Sequence, residues 1–186
     1  MASALPSRLH HTAYVVKDLE ATRHFYEDVL GFPLLATWCE QEELFGSVRT
    51  YAHCFFGIGD GGALAFFQFA DPKDQAEFGP DLAPSPFRHL ALNVDKAAQD
   101  ELERRITEAG IEPPRTYVLE HGYCRSVYVN DPDGMIVEFT LDADHADQIN
   151  AIRLKDAHSE LKRWLAGDHR PNNDVRPSHL AEAHSN

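Results

Sequence analysis

Tyr123-Cys124-Arg125-Ser126-Val127-Tyr128-Val129-Asn130-Asp131-Pro132-Asp133-Gly134-Met135-Ile136-Val137-Glu138-Phe139 reads as a strand, a tight turn and a second strand. Asp131-Pro132-Asp133-Gly134 is turn chemistry, because proline presets φ at a central position and glycine accepts positive φ. The flanking runs, Ser126–Val129 and Met135–Thr140, are rich in the β-branched and aromatic residues that suit a pleated sheet. Glu138 breaks the pattern. A glutamate between Val137 and Phe139 either faces solvent or is a buried charge that needs a partner.

Working outward, the chain repeats itself. Leu9–Val16 alternates as a strand, with Leu9, His11, Ala13 and Val15 on one face and His10, Thr12, Tyr14 and Val16 on the other. Asp18 is a suitable N-cap for a helix over Leu19–Leu30, and Gly31 stands where a left-handed residue closes it. Phe32–Trp38 reads as a strand and Glu40-Gln41-Glu42-Glu43 as a solvated loop. Tyr51–Ile58 and Ala63–Phe69 are two more strands, joined by a glycine-rich hairpin connection over Gly57–Gly62. No Lys-Ser/Thr helix follows that connection, so it is not a phosphate loop. Asp71–Pro86, with Pro72, Pro80, Pro84 and Pro86, reads as a connecting loop.

The same order then recurs. Phe87–Val94 is a strand, Asp95 a cap, and Lys96–Ala109 a helix with Ala98, Leu102, Ile106 and Ala109 on its buried stripe. Gly110 closes that helix, and a strand near Thr116–Leu119 precedes the hairpin. His11–Val16 superposes on His89–Val94, and Asp60-Gly61 on Asp133-Gly134, which makes the chain a duplication of a βαβββ unit. The fold class is α+β, divided into an N-terminal arm (1–8) and a duplicated domain (9–140, repeats about 9–70 and 87–140). A C-terminal helix (141–167), capped by Asp142 or Asp144, and a polar tail (168–186) with His169, His179 and His184 follow. Leu154, Ala157, Leu161, Trp164 and Leu165 recur at helical spacing there, as on a helix packed against the domain or a second subunit.

Composition narrows the function. The chain has 186 residues, enough for one core, and no apolar run approaches the ~20 residues that span a bilayer. Its three cysteines, Cys39, Cys54 and Cys124, form no CxxC pair, which fits a reducing compartment, the cytoplasm. A net charge of −13 disfavours nucleic acid and anionic membranes as partners. No nucleophilic triad is evident, and Cys124 has no base beside it in sequence. A lone histidine in a strand is ordinarily a satisfied strand residue. Two at duplicated positions, His11 and His89, with Glu138 on the last strand, instead compose two imidazoles and a carboxylate for one face of an octahedral divalent cation. That set suits iron(II), with manganese, nickel, cobalt and zinc left open.

His11–Leu19 with Phe25-Tyr26 and Leu30-Gly31-Phe32, together with Arg88–Val94 and Asp131–Glu138, resembles the signatures of the vicinal oxygen chelate superfamily. That group includes glyoxalase I, extradiol ring-cleaving dioxygenases, fosfomycin-resistance proteins, an epimerase and bleomycin-binding proteins. The resemblance covers roughly residues 9–140 and implies metal ligands at His11, His89 and Glu138. Glyoxalase I adds a fourth ligand in the last strand of the first half, where the hairpin alignment sets Ala65 or, one residue on, Phe66. Gln68 is the nearest polar residue, and reaching the site from there requires a bulge.

Glu120-His121-Gly122 ahead of Tyr128 is similar to the extradiol dioxygenases, which implies His121 as acid/base and Tyr128 as the substrate-positioning residue. The resemblance therefore implies an iron(II)-dependent dioxygenase that takes a small dihydroxylated aromatic and dioxygen. The competing expectations are a glyoxalase-like lyase, isomerase or transferase on the same ligands, and a non-catalytic protein that binds an aromatic ligand. His53 is a further candidate to line the cleft, and Arg49 or Arg125 to hold an anionic substituent. The C-terminal helix and the family tendency point to a homodimer.

Overall fold

The computed structural model describes residues 5–81, 83 and 85–172; the start of the arm, Pro84, His179 and His184 lie outside them. The described residues form two compact units. The first runs to Arg88 and includes Glu108–Gly110 and Asn130–Met135; the second comprises His89–Thr107, Ile111–Val129 and the chain from Ile136 onward. Each holds one four-stranded mixed sheet. With β1 (Tyr14–Val15), β2 (Leu34–Leu44), β3 (Ser47–Gly57) and β4 (Ala63–Phe69), the first sheet has the order β1-β4-β3-β2. With β5 (His89–Asn93), β6 (Thr116–Glu120), β7 (Cys124–Asn130) and β8 (Ile136–Asp142), the second has the order β5-β8-β7-β6. The two orders are the same topology written twice, with β1 parallel to β4 and β5 parallel to β8. The expected α+β fold of two βαβββ modules is therefore present.

In the first unit the Asp18 carboxylate accepts from the Glu20 and Ala21 amides and starts α1 (Leu19–Arg23). Such a cap contributes about 1 kcal/mol. The helix continues as a π-helical turn over His24–Val29, where the Leu30 amide reaches back to the Phe25 carbonyl, and Gly31 closes it at φ 82°. That turn holds Tyr26 fully buried, with its ring centroid 4.7 Å from Phe66 and 5.7 Å from Phe56. Phe56 and Phe66 are inaccessible to water, each burial being worth about 2–3 kcal/mol. Alternation along β3 and β4 sends His53, Phe55, Phe67 and Phe69 to the opposite face of this sheet.

The second unit is organised the same way. Val127, Val129, Val137 and Phe139 are buried, as are Leu102 and Ile106 of α3 (Lys96–Glu108). Gln99 on that helix is 1% exposed, and its amide donates to the Arg125 and Phe139 carbonyls.

Five local expectations change. The regular strand from Leu9 shrinks to Tyr14–Val15, and His11 makes an isolated bridge to Ala63. Glu40–Leu44 is the end of β2, not a loop. It lies on an edge strand, where charged side chains remain hydrated while the backbone pairs with β3. Asp71-Pro72 opens a short helix, α2 (Pro72–Phe78), with Asp71 as N-cap and proline at the position that needs no amide donor. On α3 the buried stripe carries Gln99 in place of Ala98, and Ala98 and Ala109 are exposed. Helix α4 (Ala146–Leu165) starts after His145, without a side-chain cap from Asp142 or Asp144. It buries Ala146 and Ile149, while Leu154, Leu161, Trp164 and Leu165 are exposed. Among the described residues no helix is long and apolar enough to cross a membrane.

Candidate active site

Strand β8 sets Glu138 on the face of its sheet opposite Val137 and Phe139, because successive side chains alternate. The carboxylate is 6% exposed and fully engaged. Its Oε1 accepts from the Tyr128 hydroxyl at 2.9 Å and the Thr140 hydroxyl at 2.9 Å, and its Oε2 lies 2.9 Å from His89 Nε2. His89 heads β5 in register with Ile136, two residues before Glu138, so both side chains share one face. Behind them, His121 Nε2 is 3.0 Å from the Tyr128 hydroxyl, and Tyr117 stacks on Tyr128 at 4.7 Å. Four of the five expected site residues, His89, Glu138, Tyr128 and His121, thus form one hydrogen-bonded chain.

The electrostatics follow from that chain. Burial by itself would raise the Glu138 carboxyl. The hydrogen bonds it accepts, with the charge His89 carries when protonated, outweigh burial and hold it below the usual glutamate value. Burial, and then the bond to Glu138, pushes the Tyr128 phenol up to about 12. Tyr128 is therefore a donor to Glu138 at neutral pH.

His11 belongs to the first unit. Its Nδ1 lies 2.8 Å from His10 Nδ1, and its ring is 6.2 Å from His53 and 5.5 Å from Phe55. The expectation that His10 faces away fails, because the chain around His11 is not regular strand and alternation does not operate there. This arrangement leaves His11 Nε2 clear of the His10 contact. Among the described residues, no group of three or more His, Cys, Asp or Glu side chains that could hold a metal is drawn together.

The residues nonetheless fit a divalent cation on donor chemistry. Metal bonds of about 2.1 Å put donors in adjacent positions about 3 Å apart, close to the 2.9 Å between His89 Nε2 and Glu138 Oε2.

Other candidates are occupied. The Gln68 side chain accepts from the Leu19 amide and donates to the Lys17 carbonyl. Arg49 is paired with Asp74 and Arg125 with Glu103, so neither is a ready anion receptor. The Thr140 contact to Glu138 was not among the expected contacts; two-residue spacing on one strand face is the signal for it.

The model of the Glyoxalase/Bleomycin resistance protein/Dioxygenase superfamily matches residues 8–139, a span that carries the first sheet, the second as far as the middle of β8, and all five expected site residues. The chain belongs to that superfamily. It is 32% identical over 132 residues to a lactoylglutathione lyase of Neisseria meningitidis serogroup A, covering 71% of this chain and 88% of the relative. A probable lactoylglutathione lyase of Vibrio parahaemolyticus is 30% identical over 140 residues, covering 70% and 88%. The fold of this superfamily member is also that of the fosfomycin resistance protein FosX of Listeria monocytogenes. That structure matches at TM-score 0.54 and 22% identity, covering 76% of this chain and 98% of that one. A glyoxylase/bleomycin resistance protein/dioxygenase domain from Frankia sp. EAN1pec matches at 0.53 and 20% identity, covering 78% and 99%.

Proposed function

We propose that this superfamily member is a divalent-metal-dependent enzyme of the glyoxalase-like lyase or isomerase type, with His11, His89 and Glu138 as metal ligands. The observation that carries it is the His89–Glu138 couple, buried at its carboxylate end and spaced as two ligands of one cation. The kinship with lactoylglutathione lyases supports this reaction class over ring cleavage. A cation there would act as a Lewis acid on a substrate oxygen.

The chain's own residues do the rest. Tyr128, held protonated, and Thr140 fix the Glu138 carboxylate by donating to one oxygen, leaving the other oriented toward His89. His121 lies at the end of the same chain of hydrogen bonds, donating through Nε2 to the Tyr128 oxygen, and serves as the acid/base group. His11 uses Nε2, with Nδ1 tied to His10 as an orienting partner. The substrate is a small molecule, and a thioester of the lactoylglutathione kind is the first to try. A homodimer belongs to the same reading and is read from molar mass in solution.

The extradiol reading is favoured by one observation, the 3.0 Å His121–Tyr128 contact, which sets an imidazole and a phenol beside the ligand pair. Iron(II) and dioxygen belong to that reading. One experiment separates the two. Metal-free full-length protein is reloaded separately with nickel, cobalt, zinc or iron(II), then assayed on lactoylglutathione and for oxygen uptake on catechols and hydroquinones. Turnover of the thioester with several metals and indifference to oxygen supports the lyase reading. Uptake with iron alone supports the dioxygenase, and inactivity of every loaded form in both assays refutes both.

A further inference from the structure

The first unit carries an imidazole nitrogen that no hydrogen bond accounts for. His53 Nε2 is shut off from solvent and has no hydrogen-bond partner, an arrangement that costs stability unless some ligand completes it. Its ring is held in place by Phe67, stacked at 3.6 Å, and by Phe55 at 4.2 Å, and it stands 6.2 Å from the ring of His11. Two metal–nitrogen bonds of about 2.1 Å each are of the length needed to join rings at that separation.

The duplication says what His53 replaces. The hairpin alignment that sets Ala65 opposite Glu138 also sets His53 opposite Ser126, Phe55 opposite Tyr128 and Phe67 opposite Thr140. In the second unit these positions form the polar shelf around Glu138. In the first unit three of the four are apolar, and the imidazole of His53 is the only donor left. Phe55 pairs with Ala65 and His53 with Phe67, so His53 and Ala65 are diagonal neighbours on one face. Ala65 has no side chain beyond Cβ to stand between His53 and His11. Gln68 is committed to the backbone of Lys17 and Leu19.

We propose that His53 is a further protein ligand, beside His11, to the divalent cation. The inference rests on the metal-dependent reading above and extends it to a residue outside the His11, His89 and Glu138 set. The test titrates Ni²⁺ calorimetrically into metal-free, full-length wild-type, His53→Ala, His53→Phe, His11→Ala and Glu138→Ala proteins. The visible ligand-field spectrum of Co²⁺ is a second readout. His53→Phe keeps a ring on Phe67 and removes both nitrogens, so it carries the test should the smaller side chain unfold the sheet. The expected result is Ni²⁺ binding at least ~10-fold weaker in the His53 variants, with an altered Co²⁺ spectrum. Wild-type affinity and spectrum in His53→Phe, alongside lost binding in His11→Ala, overturns the inference and leaves the metal-dependent reading intact. Wild-type affinity in both His11→Ala and Glu138→Ala overturns that reading itself.

Discussion

Replacing Asp131 with asparagine tests the turn that delivers Glu138 to its place. The Asp131 carboxylate is buried, accepts from the Asp133 and Met135 amides through one oxygen, and accepts from the Tyr26 hydroxyl through the other. Burial is the largest influence on it and exceeds the effect of those hydrogen bonds, lifting the carboxyl from 3.8 to about 6. A carboxyl raised on folding favours the native state in its protonated form. Its contribution is therefore fully present below about 3.8 and is lost as pH rises through about 6.

A shift of roughly 2 units corresponds to about 3 kcal/mol, of which about 1.4 kcal/mol falls between pH 5 and pH 8. Asparagine does not ionise and keeps an oxygen for the two amides. The stability of Asp131→Asn relative to wild type should thus improve by about 1.4 kcal/mol from pH 5 to pH 8. Urea unfolding of both proteins across that range measures it, and every other carboxyl cancels in the difference. A difference that stays constant with pH refutes the argument.

Two further outcomes follow from the second unit. Gln99→Leu strips two buried carbonyls of their donor and removes an acceptor from Arg125, so unfolding free energy should drop by about 2–3 kcal/mol in denaturant titration. Tyr128→Phe removes the link between His121 and Glu138; kcat should fall by about 10²-fold while metal content, measured by elemental analysis, is unchanged.

What could be read from residues alone depended on which force set each element. Ala63–Phe69 and the hairpin around Asp131-Pro132-Asp133-Gly134 were legible because buried strands require apolar runs and tight turns require glycine. The helix over Lys96–Glu108 was legible in position but not in its buried stripe. Gln99 is polar, and only the buried carbonyls of Arg125 and Phe139 that it satisfies make its burial favourable. The outer part of β2 was hidden because an edge strand is held by backbone pairing, which leaves no apolar signature over Glu40–Leu44.

For the site, duplication pointed to His11 and His89, the charge among apolar neighbours pointed to Glu138, and the resemblance to extradiol dioxygenases pointed to His121 and Tyr128; the hydrogen-bonded chain through Tyr128 joins four of these five. The irregular backbone at His10 and His11 could not be read, since it arises from the single bridge to Ala63 and not from any local preference. Neither could the orphaned nitrogen of His53, which exists only once Phe55 and Phe67 close around it.

On the proposed function, His89 and Glu138 are ligands of one divalent cation. Equilibrium dialysis of full-length wild type, His89→Ala and Glu138→Ala against Ni²⁺, with metal counted per chain by elemental analysis, tests it most directly. The expected result is one tightly held cation per wild-type chain and its loss from both variants with the fold intact by circular dichroism. Tight binding that survives both substitutions, or no binding by the wild type, would contradict it.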